Sequence, residues 1–140
     1  MLFYTTLFIW LLSHCDAVYP DGIYTGLIAD PYLFFNCTFQ KPYPHPYDAD
    51  VDMSITCDKT KPPSRALVGV EEFPGTHGMN YTVNGEEDDR ELMEMMIDQL
   101  NTDCPGRNFT YGDFSNFYQE VPGLAYSTYG DGYKIMLEKT

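Results

Sequence analysis

Between Asp50 and Cys57 the chain alternates strictly: Val51, Met53, Ile55 and Cys57 fall on one side, and Asp52, Ser54 and Thr56 on the other. A period of two marks a strand with one face buried and the other in water. Such a strand needs hydrogen-bonded neighbours on both sides, and the sequence offers several. Ile23 to Phe39 is apolar and aromatic around Leu33-Phe34-Phe35, and reads as one or two strands about the Asp30-Pro31 turn. Ala66 to Val70 and Met79 to Val83 read as two more, and Tyr111 to Val121 as a strand with a bulge. Ala125 to Leu137 has the pattern of a hairpin turning at Gly130-Asp131-Gly132. Lys41 to Tyr47 instead sets proline at every second position, Pro42, Pro44 and Pro46. Proline fixes φ and lacks a donor, so this stretch is expected to be an extended loop.

One segment carries the helical period. Asn84 to Leu100 is predicted as a helix in which Asn84 is the cap and Glu87 completes a capping box. Glu86, Glu87, Asp88 and Asp89 fall in its first turn, where the helix dipole favours negative charge. Leu92, Met95, Met96 and Leu100 form its apolar stripe, and Cys104-Pro105-Gly106 ends it. The Met93, Met95, Met96 cluster reads first as core, with an adaptable binding surface as its other use. The fold expected is α+β: a mostly antiparallel sheet packed by one amphipathic helix, in a small single domain. At 140 residues the chain has the length of one domain.

The N-terminus is read separately. Leu2 to Leu12 is an almost unbroken apolar run of 11 residues, too short for a bilayer, which takes about 20. With the small residues Cys15 and Ala17 after it, residues 1–17 are expected to be a secretory signal peptide cleaved after Ala17. Residues 18–140 would then be a secreted globular domain without a membrane anchor. Cleavage would remove Trp10, the single tryptophan, together with Cys15 and Asp16. The remaining chain would carry eight bases against 20 acids, a charge of −12.

Other features fit an extracellular, oxidising compartment. Asn36, Asn80 and Asn108 each begin an Asn-x-Thr site and are expected to be glycosylated. Of the three cysteines left after cleavage, Cys37 and Cys57 are expected to pair, since they close a short loop. Cys104 is then a free thiol or the link in a covalent dimer.

The charge excludes more than it assigns. A net charge of −13 opposes nucleic-acid phosphates and anionic membrane surfaces. Asp48, Asp50 and Asp52 open like a calcium loop, but Met53 and Lys59 stand where that pattern requires glycine and glutamate, so no metal is assigned. His45 and His77 sit in Pro- and Gly-rich loops, and no nucleophile elbow, phosphate loop or dinucleotide glycine pattern occurs; no catalytic residue and no cofactor are assigned. A dense negative field does accelerate encounter with a basic protein, and tyrosine is enriched at contact surfaces. Tyr47, Asp48, Asp50, Glu86, Glu87 and Asp88 are therefore the candidate partner contacts, with Tyr19 and Tyr47 placed beside acids as sulfation candidates.

Gly75-Thr76, the Leu92, Met96, Leu100 spacing, Asp103-Cys104-Pro105 and Gly112-Asp113 follow one another in the second half of the chain. In these elements it resembles the evasins, small glycosylated chemokine-binding proteins of tick saliva. The matching stretch spans about a third of the chain that would remain after cleavage. Evasins rest on several disulfides, and Asn108 or Phe114 stands here where a further cysteine would fall. The resemblance implies a host-directed, immune-modulating binder. The function expected is thus a secreted, non-enzymatic, acidic glycoprotein that captures a basic extracellular protein. A carrier of a small apolar ligand ranks second, and a small secreted hydrolase third.

Overall fold

The structure, a computed structural model, describes residues 20–40, 49–76 and 78–140. The expected signal peptide, Tyr19, the proline loop with His45, Tyr47 and Asp48, and His77 lie outside the described residues. Eight strands follow one another: β1 (Gly22–Ile28), β2 (Leu33–Gln40), β3 (Ala49–Thr56), β4 (Ser64–Glu72), β5 (Asn80–Val83), β6 (Asn116–Val121), β7 (Ala125–Gly130) and β8 (Tyr133–Lys139). One helix, α1 (Glu87–Asp103), lies between β5 and β6.

The expected α+β sheet packed by a helix is corrected. Each strand pairs antiparallel with the next, and β8 returns to β1 through Tyr24–Lys139 and Thr25–Glu138, closing an eight-stranded barrel. Closure satisfies the backbone donors and acceptors that two edge strands would leave open. The alternation in β3 is what points side chains inward. Ala49, Val51, Met53 and Ile55 are buried, as are Leu33, Phe35, Cys37 and Phe39 beside them on β2.

The helix belongs to the barrel wall. β5 has four residues and pairs only with the last three of β4, Val70 to Glu72. On that side the lower part of β4 has no strand neighbour, and α1 lies against it. Met93, Met96, Ile97 and Leu100 of α1 enter the same core as the strands. The stripe therefore differs from the expected one: Leu92 and Met95 are 40% and 67% exposed. The cap differs too. The helix begins at Glu87, Asn84 lies before it and accepts the Glu86 N–H at 3.1 Å, and no side chain caps the first turn. What holds this end is Asp89, whose Oδ2 accepts the Gly69 N–H of β4 at 3.0 Å.

Six rings fill the centre. Tyr24, Phe35, Phe39, Tyr81, Phe117 and Tyr126 are each at most 1% exposed. Tyr24 meets Phe39 and Tyr126 edge-on at 5.6 and 5.4 Å, and Phe39 meets Phe117 at 5.2 Å. Such pairs add about 0.5–1.5 kcal/mol each beyond their area. Below them the Phe114 ring stands where a Cβ on Gly130 would lie, so only glycine fits there.

The cysteine pairing is also corrected. Cys57 bonds Cys104, with Cα atoms 6.4 Å apart, and Cys37 is a free thiol buried in the barrel. Sheet register gives the reason. Cys37 lies across from Met53, and Cys57 is four residues further along the chain. At ~3.3 Å per residue that is roughly 13 Å, beyond the ~7 Å a disulfide can bridge. The observed bond ties the end of β3 to the C-cap of α1 across 47 residues, a closure worth about 4 kcal/mol in the chain-entropy model. Cys104, expected as a free thiol or the link in a dimer, is thereby engaged within its own chain.

Two outcomes follow for the folded protein. A thiol reagent should leave Cys37 unmodified in the folded protein, because it is buried and burial holds its thiol far above its ordinary pKa. Unfolding without reductant should release one thiol per chain, or two if Cys15 is retained; a release of none would contradict the free state of Cys37. Burial also pushes Tyr126 up to about 12, while the Gln119 side chain beside it pulls the other way. The fold disfavours its ionised form, so this stability is complete below the unfolded-tyrosine pKa of about 10 and is lost as pH rises toward 12. Denaturant midpoints measured across that window should fall, and the Tyr126→Phe variant should fall less.

Candidate binding surface

The filled interior directs attention to the outside and to the ends of the barrel. At the lower end the β1–β2, β3–β4 and β7–β8 turns meet the segment that follows α1. Arg107 joins them. Its Nε pairs with Asp131 Oδ2 at 2.6 Å, its Nη1 donates to the Tyr32 carbonyl, and its guanidinium lies 5.1 Å from the centre of the Phe109 ring. Both partners of the ion pair are largely buried, at 11% and 14% side-chain exposure. Asp131 also accepts the Asn108 N–H, and Asp113 accepts the N–H groups of Thr110 and Asp131. A shallow groove of about 610 Å³ opens beside this network, between Tyr32, Lys59 and the disulfide. Lys59 lies 4.7 Å over the Tyr32 ring, and Lys61 donates to the Asp103 carbonyl at 3.0 Å, supplying the cation that the last turn of α1 lacks.

A second groove runs along the seam between α1 and the segment leading to β6. Asn101 fixes that seam from both sides: its Nδ2 donates to the Phe109 carbonyl and its Oδ1 accepts the Phe109 N–H. Above it lies a cavity of about 360 Å³ with Val83 and Met93 in its floor, Arg90 and Glu94 on the helix side, and Tyr111 and Ser115 opposite. A polar recess of about 190 Å³ shares Gly112 and Ser115 with it and ends at Tyr118 and Tyr129. These two rings meet edge-on at 5.9 Å. The Tyr111 hydroxyl donates to Asp98 at 2.9 Å, and that bond, with the carboxylate charge, raises its pKa.

The sequence-derived candidates divide between these places. Asp50 faces outward on β3 and is the register partner of Gly69, the residue held by Asp89. The β3 acid and the Glu86, Glu87, Asp88 run are thus brought to one side of the barrel. Asp52 is paired with Arg65 at 2.9 Å on a regular strand, not a cation loop. Among the described residues no group of three or more His, Cys, Asp or Glu could hold a metal ion. No helix among them is long and apolar enough to cross a membrane. Asn36 is half-buried on β2, Asn80 is half-buried on β5 with its Oδ1 accepting the Gln119 N–H, and Asn108 is exposed. An N-glycan uses only Nδ2, so the Asn80 carbonyl bond can coexist with one.

Sequence reasoning missed Arg107, Asp131, Tyr111 and Glu94. The first two are joined only by tertiary contact. The last carries a readable signal: Glu87, Glu91, Glu94 and Asp98 follow helical spacing as a polar counterpart to the apolar stripe.

Comparison with family models, with curated proteins and with solved structures finds no match.

Arg107 sets the stability of the lower end. Arg107→Met should cost about 3 kcal/mol in urea unfolding, the scale for stranding one member of a buried pair. Arg107→Lys should recover little of it, because an ammonium cannot serve Asp131 and Tyr32 with the same fork. A loss below about 1 kcal/mol would show that water replaces these bonds.

Proposed function

We propose that this chain is a secreted, N-glycosylated, non-enzymatic binding protein that captures a basic extracellular protein on the outer wall of its barrel. The observation that carries this reading is the charge of α1: seven acids and one arginine in a helix that turns Met93, Met96, Ile97 and Leu100 into the core. Its carboxylates therefore collect on the outside, and the summed field reaches an approaching cationic protein before contact. The three Asn-x-Thr sites, the oxidised cysteine pair and the apolar N-terminal run support secretion. None of the three asparagines lies on α1. The resemblance to evasins makes a chemokine one candidate of the required charge.

Closure of the barrel favours a second reading, a carrier of a small apolar ligand, since eight strands can enclose one. Against it stand the six interlocked rings, which occupy the space such a ligand would need.

The test is affinity capture from extracellular fluid by the mature glycoprotein, eluted with rising salt. Basic proteins should be retained at low ionic strength and released as screening shortens the reach of the charge. Retention of neutral or acidic proteins alone, or elution indifferent to salt, would contradict the proposal.

A further inference from the structure

The geometry points to the seam between α1 and the 111–115 segment as the place where an extended Arg- or Lys-bearing stretch of the partner docks. This inference rests on the basic-partner reading above and names its site. The seam is a made groove, with an apolar floor of Val83 and Met93 and a cavity of about 360 Å³, within the range of ligand pockets. One bank is helical. Glu94 lines the cavity and Asp98 meets Tyr111 across the seam, and with Glu87 and Glu91 they recur every three or four residues as one line along α1, about 16 Å long at ~1.5 Å per residue. The other bank is aromatic. Tyr111 is 55% exposed, yet its hydroxyl is tied across the seam to Asp98, so its ring is held at the groove edge without an entropic cost on binding. Tyr118 and Tyr129 continue the aromatic side in the adjoining recess.

These are the two groups that recognise a long cationic side chain. Carboxylates take the charged head, bidentately for a guanidinium. Tyrosine faces take the cation over the ring and the methylene stem along it. An apolar floor between them removes water, which strengthens both. Charge complementarity selects the occupant: an acidic segment would be repelled by the helical bank, and so would a second copy of this chain, which is itself strongly acidic. Arg90, the single base of α1, lies in the groove wall four residues before Glu94 and opposes a cationic occupant. The lower groove offers no such selection, because Lys59 and Arg107 line it together with Asp30, Asp58 and Asp103.

The opposing effect of Arg90 makes the test one of sign as well as size. A short fluorescein-labelled peptide of alternating Arg and Gly is titrated by anisotropy against the full secreted glycoprotein, with an alternating Glu and Gly peptide as control. The wild type should bind the first and not the second. Glu91→Gln with Glu94→Gln should weaken binding about tenfold, the loss of ~1.4 kcal/mol of charge-assisted contact. Tyr111→Ala should weaken it about threefold, and Arg90→Gln should tighten it by a similar factor. Glu71→Gln with Glu138→Gln removes the same charge from exposed strand positions and should change binding less than about twofold. Unchanged melting temperatures establish that each variant is folded. If both acid pairs weaken binding equally, or if Arg90→Gln weakens it, the attraction is diffuse and the groove assignment fails while capture of basic proteins stands. If the wild type captures basic proteins but not the peptide, the groove assignment fails likewise. If it binds neither, the basic-partner reading itself fails.

Discussion

The fold turns on the shortness of β5. Four residues cover only the upper end of β4, and a barrel with half a stave missing would expose both backbone groups and core side chains. α1 supplies the missing half. It satisfies its own backbone, so it can stand where a strand would need partners, and it brings Met93, Met96, Ile97 and Leu100 to the gap. Three other features follow from that substitution. The acids of α1 are forced outward, a seam is left where helix and loop cannot interdigitate as two strands would, and both helix ends need anchoring.

The anchors are of different kinds. At the upper end Asp89 accepts a backbone N–H from β4, placing a carboxylate in the first turn where the helix dipole also favours it. At the lower end the Cys57–Cys104 bond, the Lys61 contact to the Asp103 carbonyl and the Asn101 clamp on Phe109 hold the last turn. Arg107 then draws the β1–β2 and β7–β8 turns onto the segment that leaves the helix. The wall is therefore cross-linked where it departs from strand pairing, and elsewhere depends on register and aromatic packing.

Local patterns were legible in the sequence wherever one period sufficed. The alternation of Val51, Met53 and Ile55 read correctly as an inward face, and the Gly130-Asp131-Gly132 turn read correctly as a hairpin. The helix was legible as an element but not in its rotation. Leu92, Met95, Met96 and Leu100 satisfy the helical period as well as Met93, Met96, Ile97 and Leu100 do, and only the neighbouring wall chooses between them. Asn84 has the chemistry of a cap, yet the helix starts after Glu86, because Asn84 is held to Gly69 through its own N–H. The acidic line of α1 was written in the same stretch of chain as the apolar stripe; Tyr111, which meets it at Asp98, comes from a segment more than ten residues further along.

By itself the sequence determined most of the strands, the helix α1, the acidity and the direction in which β3 faces, because each depends on residues close along the chain; the expected strand from Tyr111 begins only at Asn116, and residues 111–114 form turns ahead of it. Only the tertiary structure decided that the sheet closes, that Cys57 meets Cys104 and not Cys37, and that Tyr111 stands across a groove from Glu94 and Asp98. Each of those depends on the distance between segments remote in sequence. Strand register sets that distance, and a shift of a single residue would turn every side chain of a strand to the opposite face.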